Sequence, residues 1–347
     1  MAKSNFEKLL EEYDYELPES FIAQTPANPR DSAKILVFDK HLGKINIDTY
    51  KNLIKYLPKN SVLVFNQTKV IPARLTVKKP TGGKVEILFL QKEGKNIRAL
   101  ANTKLATNTN LTLNEKISFE VIEKNEAEYV LKPSFDISEL FEVLEKYGIT
   151  PIPPYIKHNK QTENALRQEY QTVFAKEKGS VAAPTASLHF TNELLKRIKE
   201  EGHEILFVTL HVNLGTFAKL TQEHVEKLKL HKEYFEITKD TADALNNAKQ
   251  NGKNIIPVGT TVVRTLESSA NSQGFLEKLT GTTDLFITES YKLKFVNSVI
   301  TNFHVPKSSL LMLISAFIGR RKLFQLYNFA KENEFRFFSF GDGMYIK

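Results

Sequence analysis

The sequence predicts an α/β fold interrupted by a compact β unit, on three observations. A chain of 347 residues is too long for one ordinary hydrophobic core, so two domains, or one domain inserted in another, is the default. Beyond residue 149, apolar strand-like runs alternate with amphipathic helix-like ones, the order of a layered sheet with some parallel pairing. Between 61 and about 148, short strands instead follow one another across Gly, Asn and Lys turns.

Each element has its own signal. VEILFL (Val85 to Leu90) is a short apolar strand, ISFEVI (Ile117 to Ile122) partly alternates, and AEYVL (Ala127 to Leu131) follows. A helix over Ile137 to Tyr147 closes the unit, with Ile137, Leu140, Phe141 and Leu144 on one face and Gly148 marking its end. TPIPPYI then forces extended backbone, which makes a boundary. Past it, a helix from Asn192 to Glu201 ends at Gly202, and EILFVTLHV reads as a strand buried on both faces. A helix from Thr241 to Gln250 ends at Gly252, and NIIPVGTT runs into the helical VVRTLESSA. The apolar run Leu310 to Gly319 is about half a membrane span, so a buried helix is expected there.

Composition excludes several classes of function. The first twenty residues are charged throughout and lack the apolar block of a secretory signal, so export is not expected. With no Cys, disulfides, Cys-ligated zinc and iron-sulfur clusters are excluded, and a reducing cytoplasm is the natural setting. A net charge of +8 suits a polyanionic partner. Lys78-Lys79, Lys227-Leu-Lys229 and Arg320-Arg321-Lys322 are its clusters for phosphate contact.

In such a sheet the ligand site is expected where strand ends meet helix starts. In VGTTVVRTLES, Gly259 ends a strand, Thr260 or Thr261 can cap the next helix, and the free N–H groups there favour an anion. Arg264 and Glu267, three apart on that helix, would alone be a surface ion pair of little worth. They do not stand alone. HVNLGTF (His211 to Phe217) is another strand end running into a turn, TNFHVP places His304 before an apolar helix, and SFGDGM sets Asp342 between glycines. The loop GSVAAPTASLHFT (Gly179 to Thr191) is small and uncharged apart from His189, as if a ligand lay against its backbone. Together these turns suggest one pocket.

Common chemistries are absent from the pattern. There is no G-x-S-x-G elbow, no H-E-x-x-H, no Walker loop and no G-x-G-x-x-G. His224 and His231, seven apart on an expected helix, lack a carboxylate at ligand spacing, so no metal site is expected.

Eight segments in order, YELPESFIAQTPANPRDSAKILVFDK, VLVFNQTKVIPARL, PIPPYI, EYQTVFAKEKGSVAAPTASLHFT, VTLHVNLGTF, VGTTVVRTLES, TNFHVPKSSLLMLISAF and FRFFSFGDGMYI, span nearly the whole chain. They resemble the S-adenosylmethionine:tRNA ribosyltransferase-isomerases of queuosine biosynthesis. The resemblance implies a catalytic α/β domain, residues 1–60 and 149–347, with a small β-barrel domain, 61–148, inserted in it. It implies transfer of the ribosyl part of S-adenosylmethionine onto 7-aminomethyl-7-deazaguanine at the tRNA wobble position. The ribosyl group is rearranged to give epoxyqueuosine, and adenine and methionine are released. No metal or prosthetic group is needed; S-adenosylmethionine is a co-substrate, and the family tends to be monomeric.

The chemistry asks for a base next to the sulfonium, an acid for adenine, and donors for ribose oxygens. His189 or His211 is expected to move the protons, with Asp342 and Glu267 holding ribose hydroxyls or orienting a His. Ala182, Ala183 and Ala186 would let the adenosyl group lie on backbone, with Ser180, Thr185 and Ser187 donating to its hydroxyls and Gly259, Thr260 and Thr261 beside it. Arg264 would grip the methionine carboxylate or a tRNA phosphate. Arg30, Asn66, Lys69, Arg74 and His304 are expected to contact the anticodon loop.

The sequence departs from the family pattern in four places. Asn213 stands for Gly, Thr288 to Tyr291 (TESY) replaces a Pro-Gly turn and brings Glu289, Gln67 replaces an Asp, and Gly343 follows Asp342 where Ala is usual. Gln67 removes a carboxylate from the catalytic set. Two readings follow: the transferase-isomerase, and a tRNA-binding protein on the same scaffold whose pocket no longer turns over.

Overall fold

The computed structural model describes residues 4–125, 128–157, 161–213 and 220–347. Their centre is a nine-stranded mixed sheet. In spatial order its strands are Thr280–Leu285, Lys229–Glu236, Glu204–Leu210, Val62–Asn66, Ile255–Val258, Val299–Asn302, Gly343–Ile346, Lys34–Asp39 and Lys44–Thr49. The middle four run parallel, and the strand Gly343–Ile346 runs against them. Parallel strands need helices on both faces to bury them, and the sequence supplies both layers. Val62 and Val64 point to a core shared with Leu245, Val262, Leu266, Leu311 and Leu326, while Leu63 and Phe65 point to Phe190, Leu194 and Ile198. Fully burying one such side chain stabilises the fold by about 1.5–3 kcal/mol.

The helices follow the expected signals. Asn192–Glu200 starts on Thr191, whose side chain accepts from the N–H of Leu194. Lys239–Gln250 begins two residues earlier than predicted because Thr238 is the cap. The apolar run forms the helix Ser309–Ile318, capped by Ser308. Among the described residues no helix is long and apolar enough to cross a membrane.

Six strands close the barrel: Glu128–Pro133, Asn96–Ala101, Lys84–Glu93, Arg74–Lys78, Asn110–Thr112 and Ser118–Asn125. Alternation builds it, since Leu75, Val77, Val85, Ile87, Phe119 and Val121 face inward while their neighbours face out. A 3₁₀ turn over Ile137–Glu139 leads into the helix Leu140–Tyr147, which packs Leu140 and Leu144 on the barrel core. The boundary expected at 61 is corrected. Val62–Asn66 is a central strand of the large sheet, and its run of five buried residues reflects neighbours on both sides. The barrel starts with Arg74–Lys78. Ala127, read as part of a strand, and Leu214 to Phe217 of the expected Gly-Thr turn lie outside the described residues.

Two further expectations change. His224 is on a helix, Gln222–Lys227, but His231 is on the following strand, and the two rings meet edge-on at 4.8 Å. Among the basic clusters, Lys227 pairs with Glu223, Lys229 with Asp284 and Arg320 with Glu12, so these three charges are locally balanced.

Candidate active site

The carboxyl ends of the four parallel strands fall at Asn66, Leu210, Val258 and Asn302 along one edge. The antiparallel direction of Gly343–Ile346 brings its amino end, with Asp342 just before it, to the same edge. Strand ends of this kind form the crevice of α/β sheets. Asn66 ties the edge together: its amide donates to the Leu210 carbonyl (2.9 Å) and Thr261 Oγ1 (3.3 Å), and its oxygen accepts from the N–H groups of Thr68 and Leu210, both 3.1 Å. It is fully buried and fully paired, so it shapes the site and is not available to RNA.

The crevice holds a pocket of about 580 Å³ of empty space, open solvent at its mouth included. The small-residue loop gives Ala183, Pro184, Thr185 and Ala186; the helix start gives Gly259, Thr260 and Thr261; the strand end opposite gives Thr301, Asn302 and His304. Tyr155 and Ser339, whose hydroxyls meet at 2.7 Å, close it with Phe338. The pocket therefore unites Ala183, Thr185, Gly259, Thr260, Thr261 and His304 from the expected set.

Gly259 makes the helix end usable. Its φ of 99° belongs to glycine, and it occupies the cap position of Thr260–Ser269 with no side-chain cap bond. Neither Thr260 nor Thr261 caps this helix, contrary to expectation. Their backbone N–H groups are at the first two helical positions, the ones a helix leaves without internal partners, and with the helix dipole they favour negative charge in the pocket.

His304 lines the pocket, with Nε2 3.0 Å from Thr301 Oγ1. Burial pushes its pKa down to about 3, so at neutral pH the imidazole carries no charge. It lies in this pocket, together with Thr185 and Thr261. His189 lies one residue behind the wall: Asn302 Nδ2 sits 3.2 Å from its Nε2, and Tyr50 stacks on its ring at 4.3 Å. Burial, aided by the charges of Arg336 and Arg30, pushes its pKa to about 3. His211 packs against backbone, where a Cβ on Gly179 would approach its ring to 2.9 Å, and its Nδ1 is 2.8 Å from Thr68 Oγ1. Burial lowers its pKa too.

The other expected residues have structural work. The carboxylate of Asp342 accepts from the N–H of Lys34 (2.9 Å) and of Arg336 (2.7 Å), so it clamps backbone and does not hold ribose. Glu267 accepts from the N–H groups of Lys294, Phe295 and Val296 and the hydroxyl of Tyr291. Ser180 is spent on Ala182 and Val212, Ala182 is in the core, and Ser187 Oγ is buried with no partner among the described residues. Arg30 donates to the carbonyls of Gln168, Glu169 and Gln171, closing the end of the helix Glu163–Glu169. Arg74 pairs with Glu86 at 3.1 Å. Lys69 alone of the expected RNA contacts lines a cavity where the barrel meets the sheet, with Lys178 and with Arg167, which is paired to Glu145 and Glu163. Arg264 and Glu267 do not pair; Arg264 meets Glu233 instead and lines a second cavity.

Asn302, Tyr155 and Ser339 were missed. Tyr155 lies in the PIPPYI segment, which read only as a boundary, and Asn302 and Ser339 sit beside residues that drew attention for their charge.

The departures from the family pattern stay clear of the pocket. Glu289 accepts from the N–H of Arg320 (2.8 Å) and so caps the helix Arg320–Glu332. Gln67 donates to Thr209 Oγ1, and Asn213 donates its N–H to Glu233.

Fold and pocket together define an α/β protein with a pocket at the strand ends of a mixed sheet and a barrel beside it. The chain belongs to the queuosine biosynthesis protein family, whose pattern it matches over residues 10–346. It is 44% identical to the S-adenosylmethionine:tRNA ribosyltransferase-isomerase of Finegoldia magna over 342 residues, 97% of each chain. It is 44% identical to the enzyme of that name from Aquifex aeolicus over 339 residues, 97% of this chain and 99% of that one. The crystal structure of the S-adenosylmethionine tRNA ribosyltransferase from Thermotoga maritima matches with a TM-score of 0.56 at 31% identity, over 97% of this chain and 100% of that one.

Proposed function

We propose that this chain transfers and isomerises the ribosyl moiety of S-adenosylmethionine onto 7-aminomethyl-7-deazaguanine at the wobble position of tRNA, giving epoxyqueuosine, adenine and methionine. The observation that carries the reading is the strand-edge pocket, in which a smooth loop, an open helix amino end and an uncharged imidazole converge. A nucleoside lies on Ala183 and Ala186, and Thr185, Thr260 and Thr261 offer polar groups to its oxygens. His304 is the histidine that lines the pocket; burial lowers its pKa and makes it a weak base, so its neutral ring serves the substrate through hydrogen bonding. His189 acts behind it, setting Asn302.

The tRNA approaches across the seam between barrel and sheet, where Lys69 and Lys178 are cross-strand partners. Like charges directly opposite are unfavourable unless an anion joins them. The enzyme works as a cytoplasmic monomer, and its chemistry needs no resident metal. The binding-only reading loses its motive, because Gln67 and Glu289 are engaged away from the pocket. Incubation with S-adenosylmethionine and substrate tRNA should release adenine and methionine together. A tight tRNA complex that releases neither would sink the enzyme reading.

A further inference from the structure

Arg264 is 5% exposed and Glu233 is 1% exposed, and the two form an ion pair through Nη1. Nε of Arg264 donates to the carbonyl of Leu285 at 3.2 Å. Nη2 has no partner among the described residues. A buried charged donor left empty is costly and calls for an explanation. It lines a cavity of about 330 Å³ of empty space, open solvent included, where His231, Ser309 and Glu233 stand beside apolar side chains such as Leu285, Ile287 and Leu313. Leu310 is a wall of both this cavity and the strand-edge pocket.

Charge selects the occupant. Arg264 and Glu233 sum to zero, so a phosphate brought to Nη2 would place an uncompensated negative charge beside a buried ion pair. A group carrying carboxylate and ammonium side by side adds no net charge and opposes each member of the pair with its complement. Position agrees. Arg264 lies three and four residues beyond Thr261 and Thr260, so it shares a face with the helix start that lines the first pocket, at about 5–6 Å between Cβ atoms.

We propose that this cavity receives the zwitterionic amino-acid end of S-adenosylmethionine, with its carboxylate on Arg264 Nη2 and its ammonium on the Glu233 side. The inference rests on the function proposed above, and it settles the two roles open to Arg264 in favour of the methionine carboxylate over an RNA phosphate.

Equilibrium dialysis of the full chain with tRNA that carries unmodified guanine at the wobble position, which offers no aminomethyl group to react, tests it by comparing S-adenosylmethionine with its decarboxylated analogue, which keeps the ammonium. The chain should prefer the carboxylate form by about 10- to 100-fold, the range expected of one hydrogen bond to a charged group. The double variant R264Q/E233Q, which leaves no unpaired buried charge, should bring the ratio to within about threefold of one. Equal binding of both compounds by the unaltered chain overturns the subsite alone, whatever the variant does. Binding of neither compound overturns the function on which it rests.

Discussion

The Nδ2 of Asn302 lies 3.2 Å from the Nε2 of His189. Because Asn302 Oδ1 accepts from the hydroxyl of Thr185 at 2.9 Å, the amide nitrogen is the donor and the neutral ring is the acceptor, with its proton on Nδ1. The relay fixes a pocket wall from behind. Asn302→Leu leaves the ring nitrogen buried without a partner, and the urea midpoint should report a loss of about 1–3 kcal/mol. Asn302→Asp puts an anion beside the ring, so the His189 pKa, followed by NMR, should rise from its low value. An unchanged midpoint and an unchanged titration would show that the two side chains do not interact.

Acid should unfold this protein partly through its histidines. His189 and His304 are held near pKa 3 in the fold by burial, against about 6.5 in an unfolded chain. The unfolded state therefore binds more protons between these values, and stability falls as pH drops from about 6.5 toward 3. Above that window the histidines cost nothing. His189→Gln removes one of these proton sinks, so its melting temperature should vary less than that of the unaltered chain between pH 7 and 4. Parallel curves would contradict the burial argument.

The fold was largely legible because the sheet and barrel have different periods. EILFVTLHV is nearly continuously apolar and VEILFL is bounded by charged turns, so each points to its layer. VLVFN was assigned to the wrong unit because a five-residue apolar run carries no sign of which sheet it joins. In the pocket, Gly259 and the small loop could be read from backbone demands; the loop brings Ala183, Thr185 and Ala186 to the wall, whereas Ser180, Ala182 and Ser187 do not line it. Charged side chains were harder. Asp342, Glu267 and Arg30 look chemical in a one-dimensional pattern, yet each is spent on backbone groups that only the tertiary fold brings near. Asn302 gave no signal, since its partners lie over a hundred residues away in His189 and Thr185.

Glu267 makes that distinction testable. Its two oxygens hold the segment from Lys294 to Val296 through three N–H groups. Glu267→Gln keeps the shape but turns an amide donor toward one of those N–H groups. The folded form should lose about 2–3 kcal/mol by chemical denaturation, as for hydrogen bonds to a charged group. Its affinity for S-adenosylmethionine at a temperature where it stays folded should be unchanged. A large loss of affinity in a variant of normal stability would restore Glu267 to the binding site.

The salt dependence of tRNA binding separates the two faces of the barrel. Lys69 and Lys178 stand opposite each other in the short parallel pair of Glu177–Ser180 with Thr68–Val70, and both line the cavity at the seam. Neither has a carboxylate partner in a salt bridge among the described residues, so each is free to neutralise a phosphate. Arg74 is already paired with Glu86. On a single-stranded loop each phosphate neutralised contributes roughly 0.7 to the slope of log affinity against log salt. Lys69→Gln should therefore flatten that slope by about 0.7, and Arg74→Ala should leave it where it was. The opposite ranking, read from filter binding at several salt concentrations, would move the RNA from the seam to the outer barrel wall.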